Sequence, residues 1–200
     1  MDKMTLIYFV RHAQADHDGY EQDQEKATNE DKPLSEKGKK DCQLVTDFLQ
    51  DKNIDIVISS PYVRAVDTVS PFAKTIGAGI ETIWDFRERE KGKGVKFTQE
   101  YFENQWRDFS HKLSNGECLS QVQERNIKAL QNVLEKHKGK NIVIGTHVVS
   151  LGTIINHYDN SFGFEQIRKI GNPYVVKMQF DGHRFLSYDM IDLFDVLFKT

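Results

Sequence analysis

The sequence lacks the features that mark secreted, zinc-binding and membrane proteins. It has two cysteines among 200 residues, Cys42 and Cys118, which lie far apart and outside any CxxC spacing. Two such thiols build neither a disulfide framework nor a zinc cluster, so we expect reduced cysteines in a cytoplasmic protein. The sequence also has no signal-peptide apolar region and no membrane-spanning run, and we expect no membrane partner.

An excess of charge of one sign is also missing. The chain has 27 lysines and arginines against 30 aspartates and glutamates, a net charge of -3, with both signs mixed along its length. This balance does not suggest a nucleic-acid partner. A chain of this length buries roughly 70% of its unfolded surface, so the core needs no disulfide or metal. We expect a single domain over residues 1–200, and the sequence leaves a homodimer open.

Short apolar runs alternate with amphipathic helical patterns along the chain. Strands are predicted at 6–10, 54–58, 80–84 and 142–146, helices at 34–51, 59–77, 117–137 and 148–157, and a hairpin at 174–188. Ser35 is predicted to cap the first helix, and Pro61 to lie in the first turn of the second. The alternation favours an α/β fold, a three-layer α/β/α sandwich whose sheet is mostly parallel with an antiparallel edge.

Two stretches interrupt this alternation. Residues 13–33 form a long polar loop rich in aspartate and glutamate, and such loops are usually functional or disordered. Residues 91–116 are predicted to be an insertion, in which a glycine and lysine loop precedes an aromatic-rich helical piece with Phe97, Tyr101, Phe102, Trp106 and Phe109. We expect the insertion to form a wall or lid over a pocket, with core packing as the alternative. Lys91, Lys93 and Lys96 would contact a second anionic group of a substrate, or else belong to a solvated loop.

Four basic side chains follow three of the predicted core strands. Arg11 and His12 come directly after the first strand, Arg64 lies in the first turn after the second, and His147 follows the run at 142–146. Ligands of open α/β sheets bind outside the carboxyl ends of the strands, so these side chains can face one crevice. Arginine forks and the exposed N–H groups of a helix start both match the oxygens of a phosphate. Each residue alone is usually structural, but together they predict an anion pocket.

Motifs over nearly the whole chain resemble those of one family. The run FVRHAQ at 9–14 is similar to its RHG signature, and SSPYVRAVDT at 59–68 is similar to its SSPxxRAxxT motif. PLSEKG at 33–38, NGEC at 115–118, GTH at 145–147 and GNPY at 171–174 match further motifs in order, with Arg125 at a family arginine position. The chain thus resembles the histidine phosphatase (phosphoglycerate mutase-like) superfamily, and the resemblance implies that fold.

The resemblance implies phosphoryl transfer without metal or cofactor. His12 would be the nucleophile that becomes phosphohistidine, while Arg11, Arg64 and His147 would bind the phosphoryl oxygens and stabilise transition-state charge. These roles are physically reasonable, because phosphoryl transfer depends mostly on positioning and electrostatics. The attacking nitrogen of His12 must be unprotonated, with its other ring nitrogen oriented by an acceptor.

A leaving alkoxide also needs a proton donor. The stretch DFREREKG at 85–92 resembles the family's L-x-E-x-x-x-G segment, which makes Glu88 the predicted general acid. Glu90 and Asp85 compete for this role, and a solvated charge run is the alternative for all three. By the same resemblance Arg89 would hold a distal anion of the substrate.

Three residues depart from the family pattern. Ala13 replaces the signature glycine, which we expect the turn to tolerate, and Gln14 replaces a glutamate. Asp18 stands where the family has asparagine, and a carboxylate beside a phosphate is unfavourable. We therefore expect Asp18 to turn away, or another loop residue to take over its role.

The predicted function is that of a histidine acid phosphatase-type phosphomonoesterase acting on a small phosphorylated metabolite, which the sequence does not identify. A phosphoglycerate mutase is the first alternative, although the acidic loop and the short chain argue against the closed, cation-rich site that a mutase needs. A non-catalytic regulatory homologue is the second. A metal hydrolase using His12 and His147 is the third, and it lacks a third ligand at metal spacing.

Overall fold

The computed structural model describes residues 3–16, 30–92 and 98–198. The described strands form one six-stranded sheet: β1 (Thr5–Arg11), β2 (Ile56–Ser59), β3 (Ile80–Thr82), β4 (Asn141–Thr146), β5 (Tyr174–Asp181) and β6 (Arg184–Ile191). Their order across the sheet is β3-β2-β4-β1-β5-β6. The first four strands in that order are parallel, and the β5–β6 hairpin adds two antiparallel pairings. The predicted, mostly parallel sheet with an antiparallel edge is confirmed.

Helices cover both faces of the sheet. They are α1 (Glu36–Leu49), α2 (Val63–Thr75), α3 (Gln99–Arg107), α4 (Leu119–Lys136), α5 (Val148–Tyr158), α6 (Phe164–Ile167) and α7 (Leu193–Phe198). Successive strand residues point to opposite faces. Accordingly, Tyr8 and Val10 of β1 enter a core with α1, α2 and α7, whereas Ile7 and Phe9 enter a second core with α4 and α5. This is the predicted three-layer sandwich.

The start of α2 differs from the prediction. Pro61 does not lie in the first turn: the helix begins at Val63, and Tyr62 is its N-cap. The Ser60 N–H still continues the sheet, donating to the Gly145 carbonyl at 2.8 Å, so the chain turns only after this residue. The third strand is also shorter than predicted, because a 3-10 turn over Trp84–Phe86 follows it. The N-cap predicted at Ser35 is confirmed, since its side chain accepts from the backbone N–H of Gly38.

The described aromatic residues of the predicted insertion pack onto the protein core. Trp106 of α3 is buried, and its ring centroid lies 5.4 Å from that of Phe109 and 6.3 Å from that of Phe162. Trp106 therefore packs in the core, which was the alternative given for this stretch. Lys93, Lys96 and Phe97 lie outside the described residues, as does Asp18 in the acidic loop. The function of the insertion as a lid stays a prediction.

Both cysteines are free and buried, as expected from their number. Burial raises the pKa of the Cys42 thiol to about 11, so the thiol is protonated at neutral pH. In the described ranges, no helix combines the length and the apolar character needed to cross a bilayer.

Candidate active site

His12 directly follows β1 at the carboxyl edge of the sheet. Its backbone N–H donates to the Thr146 carbonyl of β4 at 3.0 Å, and the residue is only 8% exposed. Its Nδ1 lies 2.6 Å from the Ala13 carbonyl oxygen, and its Nε2 accepts from Arg64 Nε at 3.2 Å. A carbonyl can only accept and a guanidinium can only donate, so Nδ1 carries the proton and Nε2 carries a lone pair. The two neighbours thus fix a neutral imidazole with an unprotonated Nε2.

The turn after His12 is tied to both flanking helices. The Ala13 N–H donates to Thr68 Oγ1 at 3.0 Å, and Thr68 in turn donates to the Arg64 carbonyl at 2.7 Å. Ala13 does not have a positive φ, so alanine in place of the signature glycine adds no left-handed backbone strain. On the other side, the Gln14 carbonyl accepts from the backbone N–H of Ser35, just before α1, at 3.0 Å.

Two arginines accompany the imidazole, Arg64 in contact with its ring and Arg11 next to it in the sequence. Arg64 is 4% exposed in the first turn of α2, and burial lowers its pKa. Burial also lowers the pKa of Arg11 to about 10, which leaves this guanidinium charged at neutral pH. Arg11 Nη1 donates to the carbonyls of Ile170 and Gly171, so the segment before β5 orients the fork. Its Nε is buried and has no hydrogen-bond partner among the described residues.

His147 is the N-cap of α5 and is fully buried. Its ring centroid lies 5.2 Å from that of His12, and its Nε2 lies 2.8 Å from Ser60 Oγ. Within the part of the chain that the structure describes, its buried Nδ1 has no hydrogen-bond partner. Burial, followed by the positive charge of Arg64, holds the pKa of His147 well below 6.5, so the ring is neutral.

Of the three candidate acids, Glu88 alone is bonded to the start of α5. It is 9% exposed, and its carboxyl oxygens accept from the backbone N–H groups of Arg89 at 2.8 Å and Val149 at 3.3 Å. Glu90 instead accepts from the Tyr62 hydroxyl at 2.9 Å, and Asp85 lies 3.4 Å from Arg87.

The charge of Glu88 also acts on the basic residues of the site. Burial lowers the pKa of Arg11, Arg64 and Arg89, and the negative charge of Glu88 raises each of them in part. A single carboxylate therefore interacts with all three guanidinium groups.

Arg89 packs against side chains of α3. It is 1% exposed, its Nη1 donates to Gln105 Oε1, and its Cζ lies 5.8 Å and 5.7 Å from the ring centroids of Tyr101 and Phe102. The side chain thus joins the predicted insertion to the segment that carries Glu88. Its contact with a distal anion stays a prediction.

Sequence reasoning missed three residues that support the site. Ser60 contacts His147, Tyr62 holds Glu90, and Thr68 joins α2 to the turn after β1. All three lie in the run at 59–68, so the motif identified the segment but not the role of its hydroxyl groups.

Across residues 3–16, 30–92 and 98–198, no three His, Cys, Asp or Glu side chains lie close enough together to hold a metal ion.

The chain is similar to known phosphatases and mutases. The profile of the histidine phosphatase superfamily (branch 1) matches residues 7–191. The uncharacterized phosphatase PhoE of Bacillus subtilis (strain 168) is 23% identical over 88% of this chain and 89% of its own length. The probable phosphoglycerate mutase GpmB of Salmonella typhi is 26% identical over 76% and 74%. A mycobacterial glucosyl-3-phosphoglycerate phosphatase superposes with a TM-score of 0.73 at 15% identity, over 94% of this chain and 97% of that one.

Proposed function

This chain belongs to the histidine phosphatase superfamily, and from that premise we propose that it hydrolyses a small phosphomonoester through a phosphohistidine at His12, without a metal ion. Membership makes it a phosphatase- or mutase-type enzyme; hydrolysis, the intermediate and metal independence are the proposal. The observation that carries it is the His12 imidazole, whose Nε2 is an acceptor because Arg64 donates to it at 3.2 Å. A nucleophilic nitrogen already unprotonated and beside a guanidinium suits attack on phosphorus.

Arg64, Arg11 and His147 can each supply a donor for the phosphoryl oxygens. Arg64 Nε–H already points at His12 Nε2, and Arg11 has a buried Nε–H that no described residue accepts. His147 is neutral, so the hydroxyl of Ser60 can donate to its Nε2 and leave a proton on its Nδ1. Three buried donors of this kind would stabilise the charge that develops on the transferring group.

The proposed reaction has two steps. The His12 Nε2 lone pair attacks phosphorus, an N–P bond forms and the ester P–O bond breaks, while the Glu88 carboxyl gives its proton to the leaving oxygen. Water then attacks phosphorus and loses a proton to the Glu88 carboxylate, the N–P bond breaks and phosphate leaves. The Glu88 carboxyl thus returns, at the end of each cycle, to the protonation state in which it began. Two backbone N–H groups hold its carboxyl in place for both transfers.

The test is to remove and to trap the nucleophile. His12→Ala should lower kcat by at least ~10³-fold, because no other side chain can carry the intermediate. Wild-type enzyme quenched during turnover should carry an acid-labile, base-stable phosphoryl group, and His12→Ala should carry none. His137→Ala, which changes a histidine beside Glu81, is the matched control and should keep both activity and label. A label on serine, aspartate or cysteine would contradict the mechanism, and loss of turnover with a chelator would contradict metal independence.

A mutase is the second candidate, because one relative is named a probable phosphoglycerate mutase. The two reactions share the phosphoenzyme and differ in what accepts its phosphoryl group. Labelled phosphoenzyme mixed with a phosphoglycerate should release its label as inorganic phosphate if the chain is a phosphatase. Label recovered mainly in a bisphosphoglycerate would favour the mutase. A regulatory homologue would show no turnover even of an aryl phosphate.

A further inference from the structure

One guanidinium bonds three backbone carbonyls of the segment that carries Glu88, which Thr146 and Ser150 also hold through the carbonyls of Phe86 and Arg87. Apart from the 3-10 turn at Trp84–Phe86, the backbone from 85 to 90 belongs to no helix or strand. Arg125 of α4 donates from Nη1 to the Asp85 carbonyl at 2.6 Å and to the Arg87 carbonyl at 3.0 Å, and from Nη2 to the Glu88 carbonyl at 3.4 Å. Three backbone oxygens around the predicted acid thus accept hydrogen bonds from the same side chain.

Glu117 orients that guanidinium. Its two carboxylate oxygens accept from Arg125 Nε at 2.8 Å and Nη2 at 2.9 Å, in the paired geometry that fixes both planes. They also accept from Arg87 Nη2 at 3.0 Å and from the Glu90 backbone N–H at 2.9 Å. Burial alone would raise the pKa of Glu117, but the hydrogen bonds and charge of Arg125 outweigh it and hold the pKa below its usual value. The carboxylate therefore stays ionised at neutral pH.

The segment at 90–92 and the loop at 114–117 also contact each other through their backbones. The Glu117 N–H donates to the Glu90 carbonyl at 2.8 Å. Gly92 has a φ of +87°, and a Cβ there would lie 2.6 Å from the Ser114 carbonyl oxygen. A Cβ on Gly116 would lie 3.0 Å from the Lys91 carbonyl oxygen. Only glycines allow so close an approach. The two glycines therefore let these segments lie close enough for Glu117 and Arg125 to reach the backbone around Glu88; we call this pair of side chains the clamp.

We propose that Glu117 and Arg125 are positioning residues for Glu88. The pair fixes the backbone on both sides of Glu88 and so aims its carboxyl at the leaving oxygen. This inference rests on the proposed function, because it assigns the pair to the proton-transfer half of that reaction. A clamp of this kind affects the first step only where the leaving group needs a proton.

The test compares two substrates of different leaving groups. Glu117→Gln and Arg125→Lys should each lower kcat for glycerol phosphate about 10-fold or more, since general acids contribute ~10²–10⁴-fold and misplacement loses part of that. Both variants should keep kcat for p-nitrophenyl phosphate and both KM values within about 3-fold. The alkaline limb of the glycerol phosphate pH profile should weaken. Arg125→Lys keeps the charge, so its defect would report lost geometry.

Asp55→Asn is the matched control for lost stability. Asp55 accepts from the Asn141 backbone N–H at 2.9 Å and from Lys140 at 3.2 Å, at the opposite end of the sheet from the site. This variant should lower the melting temperature and leave the ratio of the two kcat values unchanged. If Glu117→Gln and Arg125→Lys lose kcat equally on both substrates, the inference is overturned, because the two residues then have a structural role only.

Glu88→Gln separates this inference from the proposed function. It should lower kcat for glycerol phosphate by ~10²-fold or more and spare p-nitrophenyl phosphate. If Glu88→Gln shows this selectivity and the clamp variants do not, the inference alone fails. If Glu88→Gln lowers kcat equally for both substrates, the assignment of Glu88 as the acid fails. The positioning role of Glu117 and Arg125 then fails with it. If Glu117→Gln does not fold, Arg125→Lys decides alone.

Discussion

The two halves of the candidate site are held by different means. The phosphate half, defined as Arg11, His12, Arg64 and His147, follows core strands, and the register of the sheet places it. Arg11 pairs with Thr146, one residue before His147, and Ser59 of β2 pairs with Gly145. The leaving-group half, defined as residues 85–90, has no such ladder. Side chains of α4, of its preceding loop, of β4 and of α5 hold it through backbone carbonyls and one backbone N–H.

This difference affects how each half responds to mutation. A residue placed by a β-ladder keeps its position when a neighbouring side chain changes, because backbone hydrogen bonds remain. A segment held by an ion pair moves when either partner is lost. Substitutions in the phosphate half should therefore remove individual contacts, whereas distant substitutions should disturb the leaving-group half.

After the loss of the nucleophile itself, the largest effect expected in the phosphate half comes from its two arginines. Arg11→Ala and Arg64→Ala should each lower kcat/KM for p-nitrophenyl phosphate by ~10²-fold or more, because charge-assisted hydrogen bonds are worth roughly 1.5–3 kcal/mol each. Lysine at either position should restore only part of the loss, since it lacks the planar fork. An aryl substrate isolates the phosphate half, because its leaving group needs little protonation.

Arg184→Ala is the control for these variants, since Arg184 pairs with Asp181 on the exposed β6 edge. It should leave kcat/KM unchanged. Full activity of both alanine variants at positions 11 and 64 would show that the phosphate half is not a phosphate pocket.

A smaller effect tests whether the phosphate half is independent of its surroundings. Gly38 packs against the turn after His12, and a Cβ there would lie 2.1 Å from the Gln14 carbonyl oxygen. Gly38→Ala must push this backbone away, which should destabilise the protein by about 1–3 kcal/mol and lower kcat by about 10-fold. Denaturant unfolding and steady-state kinetics measure the two effects. Gly79→Ala, whose Cβ would meet nothing within 4 Å, is the control.

If Gly38→Ala loses stability but keeps its kcat, the ladder alone positions His12. The contrast between the two halves would then be sharper than proposed. If both parameters stay at wild-type values, the close approach of α1 has no role in the site.

The same contrast explains how much the sequence could predict. Strand periodicity indicated where Arg11 and His147 lie, because short apolar runs end directly before them and parallel strands share one carboxyl edge. The resemblance added Glu88, but neither periodicity nor motif could indicate its support. Arg125 lies 37 positions from Glu88 along the chain, and nothing local links a helix side chain to a distant carbonyl.

Two features have a similar origin. The start of α2 was predicted from the preference of proline for first turns, but the Ser60 N–H remained bonded to β4 and delayed the helix. The burial of Arg89 against Tyr101 and Phe102 was not predicted from the sequence, and its contact with a distal anion stays a prediction. In both cases a tertiary contact, which sequence patterns do not contain, decided the local structure.

The smallest expected effect is on stability, and it should occur at a different pH for His147 of the phosphate half than for Glu117, which holds the leaving-group half. The folded-state pKa of His147 is below 6.5, so as pH falls below 6.5 the unfolded chain takes up a proton that the native ring does not. Stability is then lost, at up to about 1.4 kcal/mol per pH unit. The folded-state pKa of Glu117 is below 4.5, so its contribution is complete above 4.5 and is lost as pH falls through the lowered value.

Urea unfolding of wild type, His147→Gln and Glu117→Gln between pH 3.5 and 7.5 tests this separation. The free energy of unfolding of wild type minus that of His147→Gln should be constant above pH 7 and should decrease below about 6.5, because only wild type carries the buried neutral ring. The corresponding difference for Glu117→Gln should stay constant down to about pH 4.5 and decrease only below it. Taking differences removes the titration of all other groups, provided that both variants unfold with the same denaturant dependence. If both differences change in one pH range, the two halves titrate as one coupled network, and the independence of the phosphate half from the ion pair is wrong.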